Sequence, residues 1–306
     1  MKRKLNLLIL LFLILLILFM ANVISKSDNN GFSPEPYASD SDSINSDISG
    51  KNKNSDRDIL PTDTAAAVSD KTASAGRDSS KETIAVPQTR EALRQLSAGT
   101  IIDIKEPGAA IMDNCFYYED INDDIKARII GKSYKEDCTV PFGDLRYVRI
   151  LYYGFDKETH IGELIVNKAI ASDIVDIFAE LYDKKYPIER MVLVDEYNAN
   201  DNASMAADNT SSFNYRSVPG STHLSKHALG LAIDINPLYN PYIQYNKDET
   251  VILPVEGSEY ADRTLNCPYY IKEDDLCYKA FTKRGFTWGG FWKTEPDYQH
   301  FQKTLD

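Results

Sequence analysis

Polar and apolar positions divide the chain into three stretches. Residues 1–25 open with Lys2, Arg3 and Lys4 and continue as an almost unbroken apolar run over 7–20 that fades through Ala21, Val23 and Ile24. Such a start reads as a signal peptide or a signal anchor. Its length of about 18 apolar residues, with Asn22 inside, is at the lower edge for a membrane span. No small-x-small cleavage pattern stands near Ser25, which favours an uncleaved anchor with its basic end in the cytoplasm and the rest of the chain outside. Residues 26–97 are dominated by Ser, Asp, Asn, Lys and Ala, with Phe32 and Tyr37 as the only aromatics. A stretch of this kind cannot bury enough apolar surface to offset the entropy of ordering, so it is expected to be a disordered linker. A flexible tether of about 65 residues has an end-to-end distance of roughly 45 Å. Residues 98–306 are rich in Tyr, Phe, Ile and Leu and long enough to bury one substantial core.

Within that last stretch the pattern predicts mixed structure. Residues 145–153 and 160–166 read as two strands, with Gly154 and Asp156 in the turn between them. Ile170, Ile174, Phe178 and Leu181 make one apolar stripe at helical spacing, with Asn167 as a candidate cap and Pro187 past the end. Residues 191–194 read as a short buried strand, and 276–284 as a helix stopped by Gly285. The order of elements is that of an α+β domain, not of repeated βαβ units.

The formal net charge is −12. Phosphate binding needs clustered Lys and Arg, and the predicted domain has no such cluster, so a nucleic-acid partner is not expected. Cys115, Cys138, Cys267 and Cys277 are an even number, which in an exported domain permits two disulfides. Proximity in sequence favours 115 with 138 and 267 with 277, but four cysteines allow three pairings, and four reduced thiols are the alternative. The chain has no C-x-x-C pair, which argues against a separate zinc site built on cysteine.

Chemistry concentrates near the C-terminus. Gly230 to Ile235 is an apolar run with Asp234 in its middle, and a buried carboxylate needs a partner. A metal ion is one; a salt bridge or turn cap is the ordinary alternative. His227 stands seven residues upstream. Further on, Gly285-Phe286-Thr287-Trp288-Gly289-Gly290-Phe291-Trp292 leads into Asp297-Tyr298-Gln299-His300-Phe301. Asp297 and His300, three apart, can face one side of a turn. Two imidazoles and one carboxylate, His227, Asp234 and His300, are the donor set of a catalytic rather than a structural zinc site. Asp297 is a candidate base. Of the other histidines, His160 sits in a predicted strand and reads as structural, and His223 lies near the cluster in sequence but matches no ligand position.

Together, Ser225-Lys226-His227 through Asp234 and the tryptophan–glycine run followed by Asp297 through Phe301 resemble peptidase family M15, the zinc D-Ala-D-Ala carboxypeptidases and L-Ala-D-Glu endopeptidases of bacterial cell walls. The first motif is similar to that family's S-x-H-x-x-G-x-A-x-D, the second to its W-G-G-x-W followed by D-x-x-H-F. The resemblance spans 160–304. It implies an α+β fold with a small, mostly antiparallel sheet flanked by helices. It further implies one Zn²⁺ per chain on His227, Asp234 and His300, with Asp297 as general base and Arg216 beside the scissile carbonyl. Ser225 is expected to bond within the site or to bind substrate. The implied partner is the stem peptide of peptidoglycan, met at the bacterial cell surface by an anchored domain, or by a secreted one if the N-terminal segment is cleaved. The motifs are shared by both cleavages; the D-Ala-D-Ala carboxypeptidase is preferred, the L-Ala-D-Glu endopeptidase is the alternative, and a non-catalytic zinc or wall-peptide binding module is the reading from a different class.

Overall fold

The computed structural model describes residues 83–305 apart from 87, 105–108, 219–220 and 248. The expected signal segment, residues 1–25, and the expected linker over 26–82 lie outside the described residues. Among the described residues no helix is long and apolar enough to cross a membrane.

Ordered structure begins earlier than the polar composition suggested. Within the expected linker, β1 (Ile84–Ala85) and α1 (Arg90–Arg94) form. The Thr89 hydroxyl caps α1 by accepting from the Ala92 N–H at 3.2 Å. Leu93 is buried in a cluster with Ile102, Cys115, Tyr117, Leu151 and Ile161. One well-placed leucine behind a helix cap outweighs the polar residues around it, so the structured part extends upstream of residue 98.

The chain continues through β2 (Ile102–Asp103), α2 (Ala109–Cys115), β3 (Tyr117–Asp120) and α3 (Asp123–Ile129). The nine-residue strands β4 (Leu145–Tyr153) and β5 (Thr159–Asn167) then form the longest pairing, antiparallel from Leu145 opposite Asn167 to Tyr153 opposite Thr159. With β3 they make a three-stranded antiparallel sheet. Alternation along β4 assigns its two faces. Val148, Ile150 and Tyr152 enter the main core, where they meet Ile170, Ile174, Ile177, Phe178 and Leu181 on α4 (Ala171–Asp183) and at its entry. Leu145 and Tyr147 face a second apolar cluster, and Leu151 the third.

After α4 come α5 (Asp201–Ala206), β6 (Ala232–Asp234), the hairpin β7 (Tyr242–Tyr245) and β8 (Thr250–Leu253), α6 (Leu276–Thr282), β9 (Thr287–Trp288) and β10 (His300–Gln302). A second three-stranded antiparallel sheet has β10 in the middle, between β6 and β9. The main core also takes in Ile233 of β6, Phe301 of β10 and Phe281 of α6, so α4 and the two sheets share one apolar interior. The fold is α+β as expected. Instead of one small sheet, however, the described residues form two three-stranded antiparallel sheets and two two-stranded pairings, of which β1–β2 is parallel.

Three local expectations are corrected. Residues 191–193 are extended but join no ladder; the Asn209 side chain takes the place of a strand, accepting from the Val192 N–H at 2.9 Å and donating to the Val192 carbonyl at 3.0 Å. Asn167 does not cap α4, whose N-cap position is Ile170. Its side chain accepts from the Ala169 N–H and donates to the Leu229 carbonyl. The cysteines are all free, so the disulfides favoured by sequence proximity are absent. The reason is placement: Cys115 is buried in the third cluster while Cys138 packs against the second, and Cys277 is buried in the main core while Cys267 is half-exposed.

Candidate metal centre

Three elements build the site: β6, β10 and a short turn that starts at His227. His300 and Asp234 are direct partners across β10 and β6, followed by Phe301 opposite Ile233. Successive strand residues point to opposite faces. Ile233 and Phe301 therefore enter the main core, while Asp234 and His300 face the other way. Fully burying side chains of this size contributes roughly 1.5–3 kcal/mol each, which offsets part of the cost of holding a carboxylate out of water.

His227 starts a short 3-10 turn, His227–Leu229, that ends at Gly230 with φ of +66°. A Cβ on Gly230 would stand 2.7 Å from the Asn167 nitrogen, so only glycine fits. The turn is pinned to the end of β5, since the Asn167 N–H donates to the Gly230 carbonyl at 2.8 Å and its amide to the Leu229 carbonyl at 3.1 Å. Ser225 is buried, and its hydroxyl accepts from the His227 N–H at 3.1 Å, a bond within the site.

These constraints bring His227, Asp234 and His300 together, with one possible ligand atom from each inside 4.8 Å of the others. His227 Nε2 lies 3.2 Å from Asp234 Oδ2 and 3.1 Å from His300 Nδ1, and His300 Nδ1 lies 3.0 Å from Asp234 Oδ1. The outward nitrogens are both engaged. His227 Nδ1 is 2.7 Å from the Ser212 carbonyl, and His300 Nε2 is 3.1 Å from Gln302 Oε1. Both of these partners accept, so each imidazole donates its proton outward and turns a lone pair inward. Two lone pairs and a carboxylate then converge on one place, an arrangement that repels itself unless a cation or protons sit there. The donor set suits a metal ion, and each histidine has the second hydrogen bond usual for a metal-bound imidazole.

Without a metal, protons fill that role. Burial disfavours the charged form of His300, but its hydrogen bond to Asp234 and that carboxylate's charge prevail and raise the pKa to about 9. Burial likewise opposes ionisation of Asp234, yet the charge and hydrogen bond of His227, with those of His300, prevail and hold its carboxyl far below the usual range.

Asp297 lies at the turn into β10, with the His300 N–H donating to its carbonyl at 3.3 Å. Its own N–H donates to the Gly289 carbonyl at 3.1 Å. A Cβ on Gly289 would come within 2.7 Å of the Asp297 carbonyl oxygen and 3.0 Å of its Cβ, which explains a glycine there. Asp297 Oδ1 is buried and has no hydrogen-bond partner. Burial raises the Asp297 pKa to about 7, with Asp234 adding to the rise and the two histidines opposing it. An unpartnered carboxylate oxygen beside a candidate metal centre, with a pKa near neutrality, is suited to accept a proton.

Arg216 lies on the segment beside the His227 turn. Its carbonyl accepts from the Ser225 N–H at 3.1 Å, and the Asn214 N–H donates to the His227 carbonyl at 3.2 Å. Its guanidinium forms an ion pair with Asp201 of α5. His223 is exposed and bonds Ser221 on the loop before Ser225, while His160 bonds Asp156 and the Gly99 carbonyl far from the triad in sequence. Trp292, from the tryptophan–glycine run, has its ring centroid 5.4 Å from that of His300. Sequence reading missed Ser212 and Gln302. The carbonyl of Ser212 carries no side-chain signal; Gln302 was visible two residues beyond His300, at the strand spacing that shares a face. A cavity of about 620 Å³ lies elsewhere, lined by Arg94, Arg128, Arg149, Glu163 and Arg190 among others, and includes none of the triad.

Residues 219–303 match a peptidase M15 family model described as D-alanyl-D-alanine carboxypeptidase. The resemblance to peptidase family M15 therefore holds over this segment, which contains His227, Asp234, Asp297 and His300; Arg216 falls three residues before it. No curated protein and no solved structure matches the chain.

Proposed function

We propose that the chain is a zinc-dependent peptidase that hydrolyses the stem peptides of peptidoglycan, acting as a D-Ala-D-Ala carboxypeptidase. The observation that carries this reading is the inward convergence of His227 Nε2, His300 Nδ1 and the Asp234 carboxylate beside an unpartnered Asp297 oxygen. The family match supports the peptidase class, and its printed description favours the carboxypeptidase over the endopeptidase.

His227, Asp234 and His300 would hold the zinc ion, which when bound supplies Lewis acidity and lowers the pKa of water towards about 7. Asp297 takes the proton from the attacking water and delivers it to the leaving amine nitrogen. Its pKa is about 7 in the metal-free site; a dication held by the triad would lower it and so would keep the carboxylate ionised and ready to accept at neutral pH. The Asp201 ion pair uses Nε, the inner nitrogen of the Arg216 guanidinium. The two outer amino groups would meet the oxygen that gains negative charge. Ser225 holds the His227 turn, and Trp292 would form one wall of the substrate cleft. A tethered domain outside the cytoplasmic membrane would meet such peptides directly.

The test uses the full chain, defined pentapeptide stems, zinc or a chelator, and mass spectrometry. Loss of one alanine only with zinc supports the carboxypeptidase. Cleavage between L-Ala and D-Glu replaces it with the endopeptidase. One bound zinc per chain with no cleavage of any stem peptide overturns the enzymatic reading in favour of a binding module.

A further inference from the structure

We propose that Gln302 is a positioning residue that selects the nitrogen His300 offers to a metal. The inference rests on reading the triad as a zinc centre and goes beyond it by naming what sets the triad's chemistry.

The starting point is β10. Strand residues two apart share a face, so Gln302 follows His300 on the site side while Phe301 between them enters the core. Gln302 Oε1 lies 3.1 Å from His300 Nε2. An amide oxygen only accepts, so Nε2 must carry the imidazole proton. A neutral imidazole has one such proton, which leaves Nδ1 with the lone pair, and Nδ1 is the atom directed at Asp234 and His227. In the opposite tautomer a lone pair would face the Gln302 oxygen, and a proton would occupy the space the ligands share.

The backbone of Gln302 is fixed independently of the site. It pairs with Ala232 and with Thr287, and its carbonyl accepts from the Thr287 hydroxyl at 3.3 Å. The side-chain amide is therefore presented by a central strand, not by a loop. His227 obtains the same orientation from the Ser212 carbonyl, a main-chain group that substitution cannot remove. Gln302 is thus a side chain through which the tautomer of His300 can be altered without touching a ligand.

The experiment measures zinc affinity of the full chain by competition with a chromogenic chelator, for the natural sequence and for Gln302→Leu, Gln302→Met and Gln302→Glu. Removing the acceptor should weaken zinc binding ~10–100-fold, the usual effect of losing an outer partner of a metal-bound histidine. Gln302→Glu, which still accepts, should bind at least as tightly as the natural chain. Gln302→Met keeps the length of the side chain, so it tests the role even if Gln302→Leu disturbs folding; melting of the metal-free proteins separates the two effects. Unchanged affinity in Gln302→Met, or equal weakening in Gln302→Glu and Gln302→Met, overturns the assignment while leaving the zinc centre intact. Absence of zinc binding by the natural chain overturns the zinc centre itself and the assignment with it.

Discussion

Among the described residues, two buried clusters of charge are built in opposite ways. In the sheet of β3, β4 and β5, Glu163 receives Arg128 through two bonds of 2.8 and 2.6 Å and the Tyr147 hydroxyl at 2.5 Å. Arg149, almost fully buried, spends its donors on the Tyr147 oxygen and on the Leu93 and Leu96 carbonyls. There a donor meets an acceptor in nearly every contact, and the neighbouring 620 Å³ cavity is lined by charges that compensate one another. In the triad the protons of the outer nitrogens point outward and the inner acceptors converge, so a cation or additional protons must complete the set. Buried charges that satisfy one another make structure, and buried acceptors that converge make a place for a cation. The first cluster also docks α1 onto the sheet; the second leaves Asp297 Oδ1 without a partner.

The comparison predicts that the two clusters fail in different ways. The largest effect should come from Asp297→Ala, with turnover of stem peptide falling ~10²–10⁴-fold, the usual contribution of a general base. Zinc content by elemental analysis should stay at one per chain, and full activity in this variant would remove Asp297 from the mechanism. Next, Glu163→Leu should cost about 3–5 kcal/mol of folding stability, because it removes the carboxylate that Arg128 bonds directly and that stands 3.7 Å from the buried Arg149 guanidinium. Denaturant unfolding measures that loss; an unchanged midpoint would show that the cluster is dispensable.

A smaller effect belongs to Asp208, a buried carboxyl that follows neither pattern. It accepts from the Leu238 N–H at 2.9 Å, its other oxygen has no partner, and burial raises its pKa to about 7. An unfolded aspartate titrates near about 3.9. Between roughly pH 4 and 7 the folded protein keeps a proton that the unfolded chain has lost, so stability falls as pH rises through this window. Asp208→Asn keeps an oxygen for Leu238, and asparagine tolerates the positive φ of 52°. The melting temperature of this variant should rise by several degrees at pH 8 and match the natural protein at pH 4. An equal change at both pH values would exclude charge as the cause.

The grouping of His227, Asp234 and His300 was legible because histidine is rare in this chain and the sequence spacing singles these residues out. With four histidines in the chain, His227 and His300 next to Asp234 and Asp297 leave few combinations. The strands β4 and β5 and the stripe of α4 were equally plain, since alternation and helical spacing are properties of a segment by itself. What escaped depended on distant partners. Residues 191–194 looked like a strand by composition, yet Val194 opens a 3-10 turn and Asn209 supplies to Val192 the bonds a neighbouring strand would have made. The cysteines suggested bridges by proximity in sequence, but Cys115, Cys138 and Cys277 go to separate clusters and Cys267 is half-exposed. Leu93 lay within a polar stretch, and only the sheet beneath it gives it a reason to be ordered. Ser212 contributes through a main-chain oxygen, which no side chain advertises.

The pairing of β6 with β10 also acts as an assembly check. Because Asp234 and His300 alternate with Ile233 and Phe301, the core inspects the alignment that places the candidate ligands. A slip of one residue would drive a carboxylate and an imidazole into the hydrocarbon interior and expel an isoleucine and a phenylalanine into water. A misaligned centre is therefore discarded by the same force that folds the protein, and sequence drift in that interior is policed by packing before it can blunt the ligand geometry.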